Sequence, residues 1–533
     1  MNSRPAAAIK PVDFLMPFIV MAGCLALDTT KERLGTYWSV GEFIYPFLAV
    51  MGLQSVLAGL LALTRMGTEK ALALALFGTF AVFQHEKFLL QMDVPAALMA
   101  WTAFFLTGGA LLFFVRPVRA VFIPAIKLYV TIFMVIYAVQ AGLVVVKATY
   151  DLKVIPLRPD ILKGARADLK TAPDIYFLLQ DAYAGPQTLK RLYDYDNGPF
   201  INRLRGKGFY VAEDSRAYYS QTMLSVASTL SLNYIQDDII LPHARFMDRG
   251  PAIRHYLRPR LVEFLQAQGY DIKMQSTGYN LDIGHDHEND IRAPSFRLSA
   301  LQVLISRSPL YPALDQAFGR ERQFLNQHRD HYNAIKEQYG FLEEQAAGSG
   351  GERPRFVYAH ILLPHPPFVF DSEGNFTNDS YRDQFYYKDG KHNVYDHLYE
   401  GGWTNYYRAA YAAQVSAANK LIESFVDKVL ANRSGRPVVI VIQGDHGSRL
   451  LTNFSDARHT DMPEVFAVMN AVYVSDGDYR GFTSDISPLN AMRLIANKYF
   501  AANLPLLENR QWYSLWRTPY DFTDVTDRAR KNP

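Results

Sequence analysis

Cysteine is almost missing from this chain. One residue in 533 is a cysteine, Cys24, and it lies inside an early apolar run. A disulfide framework is therefore excluded, and the part of the chain beyond that run must fold on burial alone. Charge of one sign is also lacking. Lys and Arg exceed Asp and Glu by only three, with no basic run standing out, so nucleic acid is not an expected partner. Internal repeats and low-complexity tracts are absent too, which excludes a solenoid.

Hydrophobic residues, by contrast, make up 49% of the chain, and the excess is concentrated in the first 150 residues. Five stretches there are candidate membrane helices: Phe14–Leu27, Phe43–Leu63, Ala71–Leu90, Pro95–Val115 and Leu128–Val146. The second, fourth and fifth are long and nearly free of charge. The first is short, and the third carries Gln84-His-Glu-Lys87 near its end. With the N-terminus in the cytoplasm, the inner segments carry Arg4, Lys10, Arg65, Lys70, Arg116 and Arg119. The outer loops carry only Lys31, Arg33 and Lys87 as basic residues. Five spans in this orientation place everything after Lys147 outside the cytoplasm. No small-residue cleavage site follows the first apolar run, so a removed signal peptide is not expected. The expected layout is a transmembrane domain over 1–149, a membrane-surface linker over 150–172, and an exported domain over 173–533. At about 380 residues, the exported domain can bury a large core without cross-links.

Within the exported part, two apolar runs each lead straight into an Asp. Asp174-Ile-Tyr-Phe-Leu-Leu-Gln180 ends at Asp181, and Pro437-Val-Val-Ile-Val-Ile-Gln443 ends at Gly444-Asp445-His446-Gly447. Short continuous apolar runs read as central strands of a parallel sheet, buried on both faces. Further strands are expected at Phe209–Val211, Tyr270–Met274, Phe356–Leu363 and Asn470–Val474. Helices are expected at Pro186–Tyr193, Pro199–Lys207, Met223–Tyr234, Arg260–Gln268, Lys336–Gln345 and Tyr406–Leu430. Alternation of this kind predicts an α/β domain with a mostly parallel central sheet flanked by helices.

In such sheets the functional crevice lies outside the carboxyl ends of the strands. Two carboxylates and an imidazole delivered there, Asp181, Asp445 and His446, suit one divalent cation, Zn²⁺, Mn²⁺ or Mg²⁺. The plainer alternative is that each Asp caps the helix after its strand. Thr222 sits at the start of the helix expected at Met223–Tyr234. A hydroxyl there can be an N-cap, or a nucleophile whose developing charge the helix dipole favours. His365, held in Pro364-His365-Pro366-Pro367 after a strand, can grip a phosphate oxygen or bond a loop carbonyl. His459 lies soon after the Asp445-His446 pair, and His360 falls inside a strand where burial is expected. His285-Asp-His-Glu288 has the look of a ligand cluster, although such clusters usually belong to solvated loops.

The segments Pro173–Gly185, Tyr219–Leu232, Phe356–Phe370 and Val438–Gly447 together resemble the alkaline phosphatase/sulfatase superfamily, and within it the membrane-anchored phosphotransferases. Lipoteichoic acid synthases and lipid A phosphoethanolamine transferases belong to that branch, with five spans and an exported catalytic domain. The resemblance implies an alkaline phosphatase-like fold. It implies Asp181, Thr222, Asp445 and His446 as metal ligands, Thr222 as nucleophile, and His365 and His459 as holders of the substrate phosphate. Thr222 follows Asp181 by 41 residues (222 − 181), an offset similar to the family's. One departure is Asp181, where the lipoteichoic acid and phosphoethanolamine enzymes usually carry Glu. Sulfatases proper need Cys or Ser in a Cys/Ser-x-Pro-x-Arg setting, and Thr222-Met-Leu-Ser-Val226 offers neither, which argues against sulfate-ester hydrolysis. No convincing Asp-x-x-x-His pair for a second metal is present.

The implied activity is transfer of a phospho-alcohol headgroup, phosphoethanolamine or phosphoglycerol. The donor would be a phospholipid, the acceptor an envelope glycan or lipid, and the place the inner (cytoplasmic) membrane of a bacterium with the catalytic domain in the periplasm or outside. Two other readings stand beside it: a phosphodiesterase or phosphatase that uses the same site with water, and a non-catalytic envelope assembly module. Retention of Asp181, Thr222, Asp445 and His446 together argues against the last.

Overall fold

The computed structural model describes residues 40–64, 66–89, 94–115, 160–238, 250–275, 290–292, 327–348, 351–377, 402–432, 435–453, 456–516 and 518–531, with a few isolated positions besides. The expected spans at Phe14–Leu27 and Leu128–Val146 and the cluster His285–Glu288 lie outside these residues, as does the first part of the expected linker. By its internal contacts the chain divides into two compact units, Met1–Val154 with Arg297–Asn326, and Ile155–Phe296 with Gln327–Pro533.

In the first unit, helices cover Val40–Leu63, Thr68–Leu89 and Val94–Phe114. Consecutive helices pack against each other. Phe77 meets Phe104 and Phe105 with ring centroids 5.5 and 6.2 Å apart. Gly108 makes room for that ring, since a Cβ there would lie 2.3 Å from Phe77 Cζ. Counting only described residues, no helix is long and apolar enough to cross a membrane.

Apart from a two-stranded ribbon of Trp512–Tyr513 and Thr523–Asp524, the second unit is built on one sheet. Its described strands are β1 (Asp174–Gln180), β2 (Tyr210–Val211), β3 (Asp271–Gln275), β4 (Asp290–Arg292), β5 (Arg355–Ile361), β6 (Val438–Gly444) and β7 (Asn470–Val474). Their order is β2-β7-β6-β1-β5-β3-β4. All the pairs from β6 to β4 are parallel, whereas β7 runs antiparallel to both of its neighbours. Every residue of β1, β5 and β6 is buried, as their continuous apolar runs require of central strands.

Strand periodicity divides the core into two layers. Tyr176 and Leu178 face one cluster, closed by the helices Pro186–Tyr193, Gly198–Gly206, Gln327–Ala347 and Trp403–Ala431. Ile175, Phe177 and Leu179 face the other, closed by the helices Thr222–Ser231, Gly250–Leu257, Arg260–Ala267 and Pro488–Phe500. Each fully buried apolar side chain of this kind contributes about 1.5–3 kcal/mol, which makes cross-links unnecessary.

Register positions the functional end. Gln180 of β1 stands opposite Gly444 of β6 and Ile361 of β5. The next residue after β1 is Asp181, the next after β6 is Asp445, and His365 follows soon after β5. Three loops distant in sequence thus leave one edge of the sheet side by side.

Candidate metal and nucleophile centre

Asp181 is buried, and the backbone directly after it is unusual. Ala182 has φ +61°, a left-handed conformation that costs a non-glycine residue roughly 1–2 kcal/mol. Three bonds hold it there. Ala182 N–H donates to Asp445 Oδ1 at 3.0 Å, and the Tyr411 hydroxyl donates to Ala182 O at 2.6 Å while accepting from Ala184 N–H at 3.1 Å. The turn therefore ties the loop after β1 to the carboxylate after β6.

The glycines around the second carboxylate are sterically required. A Cβ on Gly444 would lie 2.5 Å from Tyr183 O, and one on Gly447 would lie 1.9 Å from Glu464 O. Glu464 itself is buried, accepting from Leu450 N–H at 2.5 Å, Leu451 N–H at 2.8 Å and Ser448 Oγ at 2.8 Å. Burial pushes its carboxyl up to about 7, and these donors fix the loop that follows His446.

The protonation of His446 follows from its neighbours. Gly447 O, 2.8 Å from Nδ1, can only accept, and Arg449 Nη2, 2.7 Å from Nε2, can only donate. The ring is therefore neutral, with its proton on Nδ1 and its lone pair on Nε2. Burial, reinforced by the Arg449 charge, lowers its pKa, in agreement with that tautomer.

That lone pair faces Asp181 Oδ1 at 3.5 Å and Asp445 Oδ2 at 3.4 Å. Both oxygens are buried without a hydrogen-bond donor. Asp181, Asp445 and His446 each offer one ligand atom within 4.8 Å of the others. Three electron-rich atoms with no proton between them repel one another unless a cation sits among them. The residues present fit a divalent ion, and the mix of carboxylate and imidazole leans towards Zn²⁺ or Mn²⁺.

Thr222 is the first residue of its helix, after an extended Gln221 that occupies the cap position, and no side chain caps this end. Its hydroxyl is half-buried and lies 3.1 Å from His446 Nε2. Ser225, one turn on, is committed elsewhere: its buried Oγ donates to Asp445 O at 2.5 Å. His365 is half-buried, its N–H donates to Asp181 O at 3.1 Å, and its Nδ1–H donates to Pro366 O at 2.6 Å.

Burial would raise the Asp181 carboxyl, but His365, then the hydrogen bond from His360, more than offset this and hold it well below the usual carboxylate range. The structure thus brings Asp181, Thr222, Asp445 and His446 together, with His365 beside them. It does not bring His459 there. That side chain is 71% exposed, and its Nδ1 pairs with Asp456 Oδ2 at 2.9 Å, because the short turn Ala457–His459 lies on the surface.

His360, Tyr256 and Arg449 also reach this centre, a placement that the sequence leaves almost unmarked. His360 Nε2–H donates to Asp181 Oδ2 at 3.1 Å, and Tyr256 Oη meets His360 Nδ1 at 3.2 Å. The one available signal was a histidine in a strand otherwise built of apolar and aromatic side chains. This pair turns the other oxygen of Asp181 towards His446. Replacing such an orienting partner typically costs 10–100-fold in metal affinity. His360→Gln is accordingly expected to weaken Zn²⁺ binding by roughly that factor, measured by chelator competition. An unchanged affinity would show that Asp181 is oriented without it.

The fold and this cluster are of the sulfatase kind. A sulfatase family profile matches residues 192–486, more than half the chain, and the protein belongs to that family, within the alkaline phosphatase/sulfatase superfamily. Thr222, His365, Asp445 and His446 lie inside the matched segment. No curated protein sequence matches the chain.

Among solved structures, it is similar to the C-terminal periplasmic domain of EcEptC from Escherichia coli in complex with Zn. That match has a TM-score of 0.42 and 10% identity, covering 68% of this chain and 95% of that one. It is also similar to the integral membrane lipooligosaccharide phosphoethanolamine transferase A from Neisseria meningitidis, with a TM-score of 0.41 and 12% identity over 92% and 95% of the two chains. The periplasmic domain of phosphoethanolamine transferase EptC from Campylobacter jejuni gives a TM-score of 0.40 and 10% identity over 65% and 94%. Family membership rests on the sulfatase profile.

Proposed function

We propose that the protein transfers a phospho-alcohol headgroup, phosphoethanolamine or phosphoglycerol, from a phospholipid to an envelope glycan or lipid, through a phosphothreonine at Thr222. The observation that carries this reading is the half-buried Thr222 hydroxyl 3.1 Å from His446 Nε2, beside two buried carboxylate oxygens without donors. Asp181, Asp445 and His446 would hold a divalent ion with Thr222 at its edge. Such an ion, when bound, lowers the pKa of a nearby hydroxyl and neutralises charge on phosphate oxygens.

Thr222 Oγ1 attacks phosphorus as the bond to the diacylglycerol oxygen breaks, giving a phosphothreonine diester and diacylglycerol. The proton lost by Thr222 is matched by one gained by the leaving oxygen, and His365 is the nearby group suited to carry it. An acceptor hydroxyl then attacks the same phosphorus. Its proton goes to Thr222 as that P–O bond breaks, and the enzyme is restored.

A lipid donor requires a membrane address. The first unit supports one through the basic residues of its inner segments and through Leu48, Val56, Leu60, Leu63, Leu106 and Phe114, all more than half exposed. We place the chain in the inner membrane of a bacterium with five spans and its catalytic unit in the periplasm or outside.

The test uses membranes containing the full chain, supplied with phospholipid labelled in the headgroup. The expected result is label on an envelope glycan or lipid, with an equal amount of diacylglycerol released. Label released only as water-soluble headgroup phosphate would instead identify a hydrolase at the same site.

A further inference from the structure

Arg449 has no part in the reaction as described, yet it is 6% exposed and reaches the centre of the site. One nitrogen, Nη2, donates both to Ser220 O at 3.0 Å and to His446 Nε2 at 2.7 Å. Ser220 lies two residues before Thr222, so the guanidinium also borders the segment that presents the nucleophile.

The conflict is over a single lone pair. His446 Nδ1 is committed to Gly447 O, which leaves Nε2 as the only acceptor on the ring. A cation held by Asp181, Asp445 and His446 needs that same lone pair, and Arg449 cannot keep its bond there once the pair is taken. Two positive charges in one buried pocket also repel. An anion with several oxygens relieves both problems, because it accepts the displaced N–H and lies between the charges. A phosphoryl group undergoing attack by Thr222 is such an anion, since Thr222 Oγ1 and Arg449 Nη2 touch the same nitrogen. Guanidinium is well suited to this exchange, being always charged and able to fork two N–H bonds onto phosphate oxygens.

We infer that Arg449 is the phosphoryl-binding residue of this site, exchanging His446 Nε2 for a phosphate oxygen when a divalent cation takes that lone pair, so that metal and phosphate bind cooperatively. This rests on the metal and nucleophile reading of the site. It assigns Arg449 a specificity for tetrahedral oxyanions and makes the metal affinity of the protein depend on the anion present.

Full-length protein in detergent is titrated with Zn²⁺ by chelator competition, with and without inorganic phosphate, and with phosphate at fixed Zn²⁺. In the wild type, phosphate should tighten Zn²⁺ binding by a factor in the range of about 5 to 150, and Zn²⁺ should tighten phosphate binding by the same factor. Arg449→Gln should bind Zn²⁺ alone at least as tightly as the wild type. Its coupling should vanish, and its phosphate affinity at saturating Zn²⁺ should fall at least about tenfold. Arg449→Lys, which keeps the charge and loses the fork, should recover part of that affinity and guards against a Gln variant that fails to fold. Coupling that persists in Arg449→Gln would overturn the inference, as would weaker Zn²⁺ binding at an unchanged melting temperature. A wild type that binds no Zn²⁺ would remove the functional reading itself. A wild type that binds Zn²⁺ without phosphate coupling would remove only the role of Arg449.

Discussion

Thr222→Ala protein is expected to transfer no headgroup above background and to form no phosphorylated enzyme, while keeping its fold. Loss of a nucleophile that acts with its activating partners costs on the order of 10⁶-fold in turnover. The rival role, a helix N-cap, predicts a different outcome: a loss of about 1 kcal/mol in stability with turnover largely kept. Capping is not the role the geometry gives it, because the cap position is Gln221 and the Thr222 hydroxyl lies 3.1 Å from His446 Nε2. Thr222→Ser keeps the hydroxyl and loses only a methyl, so partial activity is expected. Mass spectrometry of the protein after incubation with labelled phospholipid reads both the modified residue and the group it carries. Ser225→Ala removes a bond to the Asp445 carbonyl, and its adduct should still form on Thr222. A Thr222→Ala protein that still turns over, beside a dead Ser225→Ala, would move the nucleophile to Ser225.

The central strands were legible because their chemistry is local. β1, β5 and β6 are runs that only a sheet covered on both faces can bury, and their carboxyl ends carry the site residues. Position along a loop is not local, and a single sequence encodes it weakly. His459 follows Asp445-His446 closely in sequence, but the intervening turn carries it to the surface, where Asp456 takes its Nδ1. The helix expected to run to Tyr234 stops at Ser231, because Leu232 turns into the left-handed region at φ +60°. The helix Pro488–Phe500 is not among the expected elements, although its start carries a signal: Ser487 accepts from Asn490 N–H, and Pro488 is its first residue. Arg449 gave no signal, since its role depends on which lone pair its loop brings it to. His360 is buried, as its place inside a strand implies. That it faces Asp181 depends on the register between β1 and β5, and no single strand encodes that.

The second large effect concerns the ion. Wild-type protein is expected to bind one divalent cation per chain, and Asp181→Asn and Asp445→Asn should each lower its affinity by at least about two orders of magnitude, beyond the 10–100-fold of an orienting residue. The buried carboxylates make a further prediction, of opposite sign, for stability. Asp445 Oδ2 faces the His446 lone pair without a donor, beside the equally donor-free Asp181 Oδ1, so without a cation the Asp445 charge opposes folding. Asp445→Asn removes that charge while keeping an oxygen for the bond from Ala182. In chelator, Asp445→Asn should therefore melt no lower than the wild type, and higher where the lost charge outweighs the altered hydrogen bonding, whereas Asp181→Asn should melt lower, because His365 and His360 favour that charge in the fold. Added Zn²⁺ should reverse the order for Asp445→Asn, because an ion at 100 times its Kd stabilises only the protein that binds it, by about 2.7 kcal/mol. Melting curves with and without Zn²⁺, beside metal analysis of the purified chain, measure both effects. Negligible metal in the wild type, together with chelator-resistant activity, would overturn the metal reading. An Asp445→Asn protein that melts far lower than the wild type in chelator would mean that this carboxylate serves the fold rather than an ion. A crossing of the two orders is the result that neither capping nor packing can produce, since both act alike with and without the cation.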